Sequence, residues 1–94
     1  MARNETLSIS AGSMTELTMS DVQSVTFQNH GPGVIELIAS DGTVPSGATT
    51  GPRYFPRQGE ANVALSDLFP GVTGAVRLYA RTYKSESAEV FISH

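Results

Sequence analysis

The sequence has no cysteine and no long hydrophobic run, and each absence excludes a class of protein. Without cysteine there can be no disulfide, no thiolate zinc site and no cysteine nucleophile, which is typical of a reducing cytoplasm or of a particle assembled there. The apolar stretches are too short to cross a membrane, so we expect no membrane partner. The residues after Met1 lack an apolar segment, so we expect no signal peptide.

The chain is acidic, and its charge is unevenly distributed. Residues 1–52 carry one arginine against five acids, a net −4, whereas residues 53–94 carry five cations against four acids, a net +1. This asymmetry is either ordinary surface charge or a basis for head-to-tail contact between proteins. The net charge of −3 argues against nucleic acid as the main partner, because phosphate binding needs clustered cations.

Short alternating stretches separated by Gly, Pro, Asp and Asn dominate the rest of the sequence. Their spacing predicts an all-β fold, a single antiparallel β-sandwich or small barrel of seven or eight short strands in one domain over residues 1–94. The pattern predicts a turn at residues 29–33, followed by a strand at 34–39 that is either covered on both faces or packs on the core with one face and makes a contact with the other. The predicted strands, some with a defined inner face, cover residues 6–10 (Leu7, Ile9), 15–18, 22–29 (Val25, Phe27), 34–39, 61–65, 75–83 (Val76, Leu78, Ala80) and 88–93 (Val90, Ile92).

Two segments depart from this strand pattern. Residues 66–69 are typical of one helical turn, with Ser66 as its N-cap and Pro70-Gly71 as its end. Leu68 and Phe69 in this turn are expected to plug an open end of the core, with a role in partner contact as the alternative. Residues 40–52 predict a long, mobile, exposed loop entered through a turn at Asp41-Gly42, and such loops are either functional or disordered.

No motif in the sequence predicts catalysis or metal binding. His30 and His94 lack metal-ligand spacing and are expected to be exposed to solvent. No serine lies in a GxSxG turn, and the glycines around Pro32 lack the lysine and helix of a phosphate loop. We therefore expect a non-enzymatic protein with no catalytic residues, no metal and no cofactor.

Aromatic and arginine side chains lie together in two segments and form the candidate contact residues. Tyr and Arg are enriched at protein interfaces, so the pattern predicts a protein-contact surface. Two alternatives remain open: half-buried tyrosines covered by arginine stems, or stacking of single-stranded nucleic acid. The candidates are Arg53, Tyr54, Phe55, Arg57, Arg77, Tyr79 and Arg81, with the loop at 40–52 as a further contact region.

Three segments resemble one type of small virion structural protein of tailed bacteriophages: DVQSVTFQN at 21–29, LSDLFPGVTGAVRLYAR at 65–81 and AEVFISH at 88–94. The resemblance implies a capsid decoration, or cement, protein that binds the major capsid protein and stabilises the head. It also implies a homo-oligomer, with a trimer as the expectation, on the capsid surface of a virion assembled in the host cytoplasm. It supplies no active-site residues.

Two other functions compete with capsid decoration. The first is a structural component of the head–tail neck or of the tail, present in far fewer copies. The second is a carbohydrate- or receptor-binding β-sandwich that uses Tyr54, Phe55 or Tyr79 as a stacking platform. A single-strand nucleic-acid binder ranks last because of the acidic charge.

Overall fold

A computed structural model describes residues 4–46, 50–83 and 86–94 of the chain. Within these residues there are eight strands and one helical turn, in agreement with the predicted all-β sandwich. The elements are β1 (Asn4–Ile9), β2 (Thr15–Glu16), β3 (Ser24–Pro32), β4 (Ile35–Ser40), β5 (Arg53–Tyr54), β6 (Gly59–Ala64), α1 (Leu65–Leu68), β7 (Arg77–Thr82) and β8 (Ala88–Ser93).

The strands form two antiparallel sheets of four strands each. The first sheet has the order β1-β8-β3-β6, and the second has the order β2-β7-β4-β5. The strands therefore pair as β1 with β8, β2 with β7, β3 with β6 and β4 with β5. This is the pattern of a long hairpin rolled onto itself, which is the jelly-roll topology.

The core lies between the two sheets and is built by strand alternation. In β3, Val25 and Phe27 point inward, and in β8 Val90 and Ile92 do so, as the period of two predicts. In β7 the inner face is Leu78 and Ala80, whereas Val76 precedes the strand and is only half-buried. The side chains that are fully or almost fully buried in this core are Ile9, Leu17, Val25, Phe27, Ile35, Leu37, Leu65, Leu78, Ala80, Ala88, Val90 and Ile92.

The helical turn closes one end of the core, as predicted. Phe69 is 8% exposed and belongs to the core cluster, with Leu68 packed against it. The prediction of Ser66 as the N-cap is wrong, because the cap position is Ala64 and it has no side-chain hydrogen bond. A polar cap is less needed here, since the Leu65 amide already donates to the Gln23 carbonyl at 2.9 Å.

Of two predicted turns, the structure overturns one and confirms the other. The turn expected at residues 29–33 is wrong, because β3 continues to Pro32, and Gly31 and Pro32 still pair with β8 across a bulge after Asn29. The turn at Asp41-Gly42 is confirmed: Asp41 Oδ1 accepts hydrogen bonds from the amide and the hydroxyl of Thr43 at 3.3 and 2.9 Å. Residues 47–49 of the predicted loop lie outside the described residues, and its mobility stays a prediction.

Candidate functional site

The rim of the second sheet carries two exposed aromatic rings and an arginine. Phe55 is 58% and Tyr83 is 45% exposed. Tyr54 and Thr82 both pair with Ile35 of β4, from opposite sides. Phe55 and Tyr83 each follow these residues by one position, so they lie two strands apart at the same end of the sheet. The Arg53 guanidinium lies 3.6 Å from the centre of the Tyr83 ring. We call Arg53, Phe55 and Tyr83 the aromatic rim.

A buried asparagine fixes the turn that holds the aromatic rim. Asn29 is fully buried, and its side-chain amide donates to the carbonyls of Tyr54 and Gly33, both at 2.9 Å. Its Oδ1 accepts from the Gly31 amide at 2.8 Å. Its backbone bonds to Arg57 and Gln58, so one residue joins β3 to both ends of the 54–58 turn. Such a fully satisfied polar group fixes geometry, because any displacement would leave a buried amide unpaired.

Tyr54 lies under the aromatic rim and faces the interior. Its ring makes an edge-to-face contact with Phe27, with ring centres 4.9 Å apart. The hydroxyl donates to Glu60 Oε2 at 3.4 Å. Burial, together with the negative charge of Glu60, raises the pKa of Tyr54. Tyr54 thus anchors the segment that presents Arg53 and Phe55, and it offers a partner little surface of its own.

The three candidates in β7 lie together on the outer face of the second sheet, beside Glu36, Ile38 and Ser40 of β4. Tyr79 is only 5% exposed and Ile38 only 1%, although both lie on the outer face. The adjacent segment at Gly51 and Pro52 is joined to β4, because Pro52 accepts a hydrogen bond from the Leu37 amide at 2.9 Å. We call this surface, formed by Glu36, Ile38, Ser40, Arg77, Tyr79 and Arg81, the covered face.

The two arginines of the covered face bind carboxylates within the chain. Arg81 Nε donates to Glu36 Oε1 at 2.9 Å, and Glu36 Oε2 accepts from the Gly51 amide at 3.1 Å. Arg77 contacts Glu16 at 2.9 Å and Asp21 at 2.7 Å.

The pKa values of this network follow from those contacts. Burial acts to raise the pKa of Glu36, but the Gly51 hydrogen bond and the interactions with Arg81 outweigh it and lower that pKa. Hydrogen bonds to Asp21 and Glu16 raise the pKa of Arg77. The folded chain therefore favours the ionised forms of Glu36 and Arg77.

Arg57 lies apart from the other candidates, next to the first sheet. Its backbone carbonyl accepts from Gln28 Nε2 at 3.1 Å, and its φ of 76° is in the left-handed region. It lines a shallow depression on the outer face of the first sheet, together with residues of β3, β6 and β8. The structure thus brings Arg53 and Phe55 together with Tyr83, groups Arg77, Tyr79 and Arg81 on the covered face, and separates Tyr54 and Arg57 from both groups.

The two histidines belong to neighbouring strands of the first sheet but lie at different levels, because His94 follows Ser93, which pairs with Thr26, four residues before His30. His30 lies on β3 with its ring nearly parallel to Phe91, at an angle of 14° and with ring centres 6.3 Å apart. His94 ends the chain after β8 and is half-buried. In the part of the chain that the structure describes, no three histidine or acidic side chains come together as metal ligands. No helix in residues 4–46, 50–83 and 86–94 is long and apolar enough to cross a membrane.

The residue that sequence reasoning missed here is Asn29. Its only signal was a polar residue next to His30, Gly31 and Pro32, which we assigned to a turn. Its partner Tyr54 lies 25 positions away, beyond the reach of local patterns. Comparisons of the chain with known protein families, with curated proteins and with solved structures find no significant match.

Proposed function

We propose that this protein is a non-enzymatic structural component of a bacteriophage virion, a capsid decoration protein that binds the major capsid protein through its aromatic rim. The observation that carries the binding role is the exposure of Phe55 and Tyr83 at one rim, with Arg53 stacked on Tyr83. The choice of the capsid as partner is supported by the resemblance of three segments to tailed-phage virion proteins. Location on the capsid surface follows from that choice.

The aromatic rim has the chemistry of an interaction surface. Aromatic residues and arginine are the side chains most enriched in binding hot spots. Covering the exposed parts of Phe55 and Tyr83 removes apolar surface from water, and the cation–π contact between Arg53 and Tyr83 strengthens as water leaves. Because the 54–58 turn is already fixed by Asn29, little conformational entropy is lost when a partner binds.

Many weak contacts suffice for a decoration protein. A rim of three side chains is small for a single tight interface, which typically buries about 800 Å² on each partner. Assembly of several copies, with a trimer as our expectation, makes each further contact intramolecular and raises the total affinity. The arginines of the covered face add less, since both are already engaged with carboxylates of the same chain.

Quantitative mass spectrometry of particles from the source phage tests this proposal. We expect the chain to co-purify with the capsid in hundreds of copies, as decoration of a whole shell requires. A few dozen copies or fewer would contradict capsid decoration and would indicate a component of the head–tail neck or of the tail. Absence from purified particles would contradict a virion role.

A variant pair tests the contact surface. Arg53→Glu combined with Phe55→Ser should lose binding to particles that lack the protein, because it reverses the charge and removes the most exposed ring of the aromatic rim. The matched control is Asp67→Asn with Thr73→Ala, two exposed changes at the opposite end of the sandwich, which should bind normally. Full binding by the aromatic rim variant would show that the contact with the capsid lies on another surface.

A further inference from the structure

The turn that follows β4 contains the one aspartate–glycine bond in these 94 residues, Asp41-Gly42. Both residues are exposed to solvent. An aspartate carboxyl group can react with the backbone nitrogen of the next residue, and this nitrogen is most accessible in glycine, which has no β-carbon. The other two aspartates, Asp21 and Asp67, precede valine and leucine, whose side chains obstruct this approach. Asp41 is therefore the aspartate of this chain that is most open to the reaction.

The reaction is an isomerisation in two steps. In the first step the Gly42 nitrogen bonds to Asp41 Cγ, and the amide proton and the carboxyl hydroxyl leave together as one water, which produces a cyclic imide. In the second step, water cleaves one of the two C–N bonds of the imide ring. Cleavage at the side-chain carbonyl restores aspartate, whereas cleavage at the main-chain carbonyl gives isoaspartate, whose backbone is longer by one CH₂ group. Water is released and then taken up again, so the reaction needs no oxidant and leaves the mass of the chain unchanged.

Hydrogen bonds within the turn oppose the first step. Asp41 Oδ1 accepts from the hydroxyl of Thr43 at 2.9 Å and from its amide at 3.3 Å. The reactive form is the protonated carboxyl group, because a carboxylate has no hydroxyl that can leave as water. The two hydrogen bonds from Thr43 lower the pKa of Asp41, so less of this reactive form is present. The Gly42 amide donates to Ser40 Oγ at 3.3 Å, which engages the proton that the reaction must remove.

We propose that Asp41 is a site of isoaspartate formation and that the hydroxyl of Thr43 restrains this reaction in the folded protein. The surroundings of the turn leave room for the imide ring. A β-carbon placed on Gly42 would have no atom within 4 Å among the described residues, its chain neighbours aside. The φ of Gly42 is 121°, in a region where glycine moves freely. The turn is therefore restrained by its hydrogen bonds and not by burial.

Isoaspartate at this position would change the end of β4. The added CH₂ group displaces the two residues that follow, so the hydrogen bonds made by Gly42 and Thr43 should be lost. Ser40, the last β4 residue paired with β7, accepts a hydrogen bond from the Val76 amide at 2.9 Å, so the disturbance should reach that contact. β4 begins at Ile35 beside the aromatic rim and ends at Ser40, so the change lies at the opposite end of the second sheet. The inference therefore does not depend on binding through the aromatic rim.

The experiment follows isoaspartate formation in the parent chain and in Thr43→Val, which removes the hydroxyl but keeps the amide and the branched shape. Both chains are incubated for weeks in mildly acidic buffer, folded and in concentrated urea. Peptide mapping with electron-transfer fragmentation then measures isoaspartate at each aspartate. We expect isoaspartate at Asp41 to form at least about threefold faster in folded Thr43→Val than in the folded parent. In urea the two chains should react at the same rate, faster than either folded chain, because the turn is absent.

Controls separate the site from its restraint. Asp21 and Asp67 are internal controls, and the matched variant is Thr6→Val, an exposed threonine of β1 whose loss should leave the rate at Asp41 unchanged. A level of isoaspartate at Asp41 no higher than at Asp21 and Asp67, with the chain in urea, would overturn the site. Equal rates for the folded parent and folded Thr43→Val would overturn the restraint by the hydroxyl. Either failure would leave the capsid proposal untouched.

The structural consequence has its own measurement. The isomerised fraction is separated by chromatography, and its two-dimensional amide NMR spectrum is compared with that of the parent. We expect shifts at residues 40–44 and at Val76, and unchanged signals for Phe55 and Tyr83 of the aromatic rim. Shifts that extend to the aromatic rim would contradict the confinement of the change to the far end of the second sheet.

Discussion

The two outer faces of this sandwich differ, although alternating strands build both. On the second sheet, the outward side chains of β4 and the Tyr79 ring of β7 are buried, at 1% exposure for Ile38 and 5% for Tyr79. On the first sheet, the outward side chains of β3 and β8 are exposed or half-buried, including Gln28, His30 and Phe91. The difference teaches that the outer face of a small sandwich can be closed by its own loop and ion pairs.

This difference in burial between the two outer faces follows from the amino-acid sequences of their strands. β4 reads IELIAS and has apolar residues on both faces, so its outer face needs a cover. The charged Glu36 can be buried on this face because its carboxylate binds both Arg81 and the Gly51 amide. β3 alternates apolar with polar side chains and leaves its outer face open to solvent. The predictions below compare positions on the covered face with less buried positions elsewhere in the chain, from the largest expected effect to the smallest.

The aromatic residues at the centre of each face should differ most. Tyr79→Ala leaves a cavity on the covered face and should lower the free energy of unfolding by about 3 kcal/mol. Phe91→Ala removes a half-exposed ring and should lower it by about 1 kcal/mol. Urea unfolding followed by circular dichroism measures both. Equal losses would show that the two faces are closed to the same degree.

Glycine substitutions test how closely the cover is packed. A β-carbon at Gly51 would overlap the Leu37 carbonyl oxygen, so Gly51→Ala must displace the segment and should cost about 2 kcal/mol. Gly71 has no atom within 4 Å of such a β-carbon, so Gly71→Ala should stay within about 0.5 kcal/mol of the parent. Thermal and urea unfolding of the two variants give the comparison. A harmless Gly51→Ala would mean that the cover is loose.

Two glutamates, Glu36 on the covered face and Glu60 on the edge strand β6, test the ion pairing. Glu36→Gln keeps an acceptor for Gly51 but loses the charge paired with Arg81, and should cost about 1–2 kcal/mol. Glu60→Gln is exposed, so its effect on unfolding should be within about 0.5 kcal/mol. The ranking is read from unfolding at neutral pH. A larger loss for Glu60→Gln would reverse our assignment of the stabilising carboxylate.

Acid should weaken the covered face, because protonation of Glu36 removes the charge that pairs with Arg81. The pKa of Glu36 lies below its ordinary value near 4.5, because the Gly51 hydrogen bond and Arg81 outweigh the effect of burial. The folded chain therefore binds this proton less tightly than the unfolded chain. Its contribution to stability is complete above about pH 4.5 and is lost as the pH falls through the lowered pKa.

The measurement is the free energy of unfolding between about pH 7 and about pH 3 for the parent and for Glu36→Gln. The variant should show a shallower fall below about pH 4.5. Some slope should remain, because hydrogen bonds from Thr43 also lower the pKa of the exposed Asp41. Identical pH profiles for parent and variant would rule out Glu36 as a main source of the acid sensitivity.

Local patterns in the sequence predicted the parts of the fold that depend on neighbouring residues. Alternation gave the inner faces of β3 and β8, and a bulky Leu-Phe pair before Pro70 gave the plug at Phe69. Sheet order could not be predicted, since β1 pairs with β8 at the other end of the chain. For the same reason the burial of Tyr79 and the depression at the β3–β6 bulge were missed, because each depends on segments distant in sequence.

The candidate contact residues were predicted as one set, and the structure divides them. Arg53 and Phe55 were recognised from their residue types, and both lie at an exposed rim. Tyr83 belongs beside them because β4 separates the ends of β5 and β7 by one strand, which only the sheet order reveals. Arg77 and Arg81 alternate as expected, but the carboxylates that engage them come from β2, β4 and the loop after β2.

Cryo-electron microscopy of the source particle, at a resolution that orients the sandwich, tests the central claim most directly. We predict regularly placed copies on the shell, with Phe55 and Tyr83 against the capsid and the outer face of the first sheet directed toward solvent. Copies that contact the shell through the outer face of the first sheet would contradict the assignment of the aromatic rim. A shell without this protein would contradict the proposed function itself.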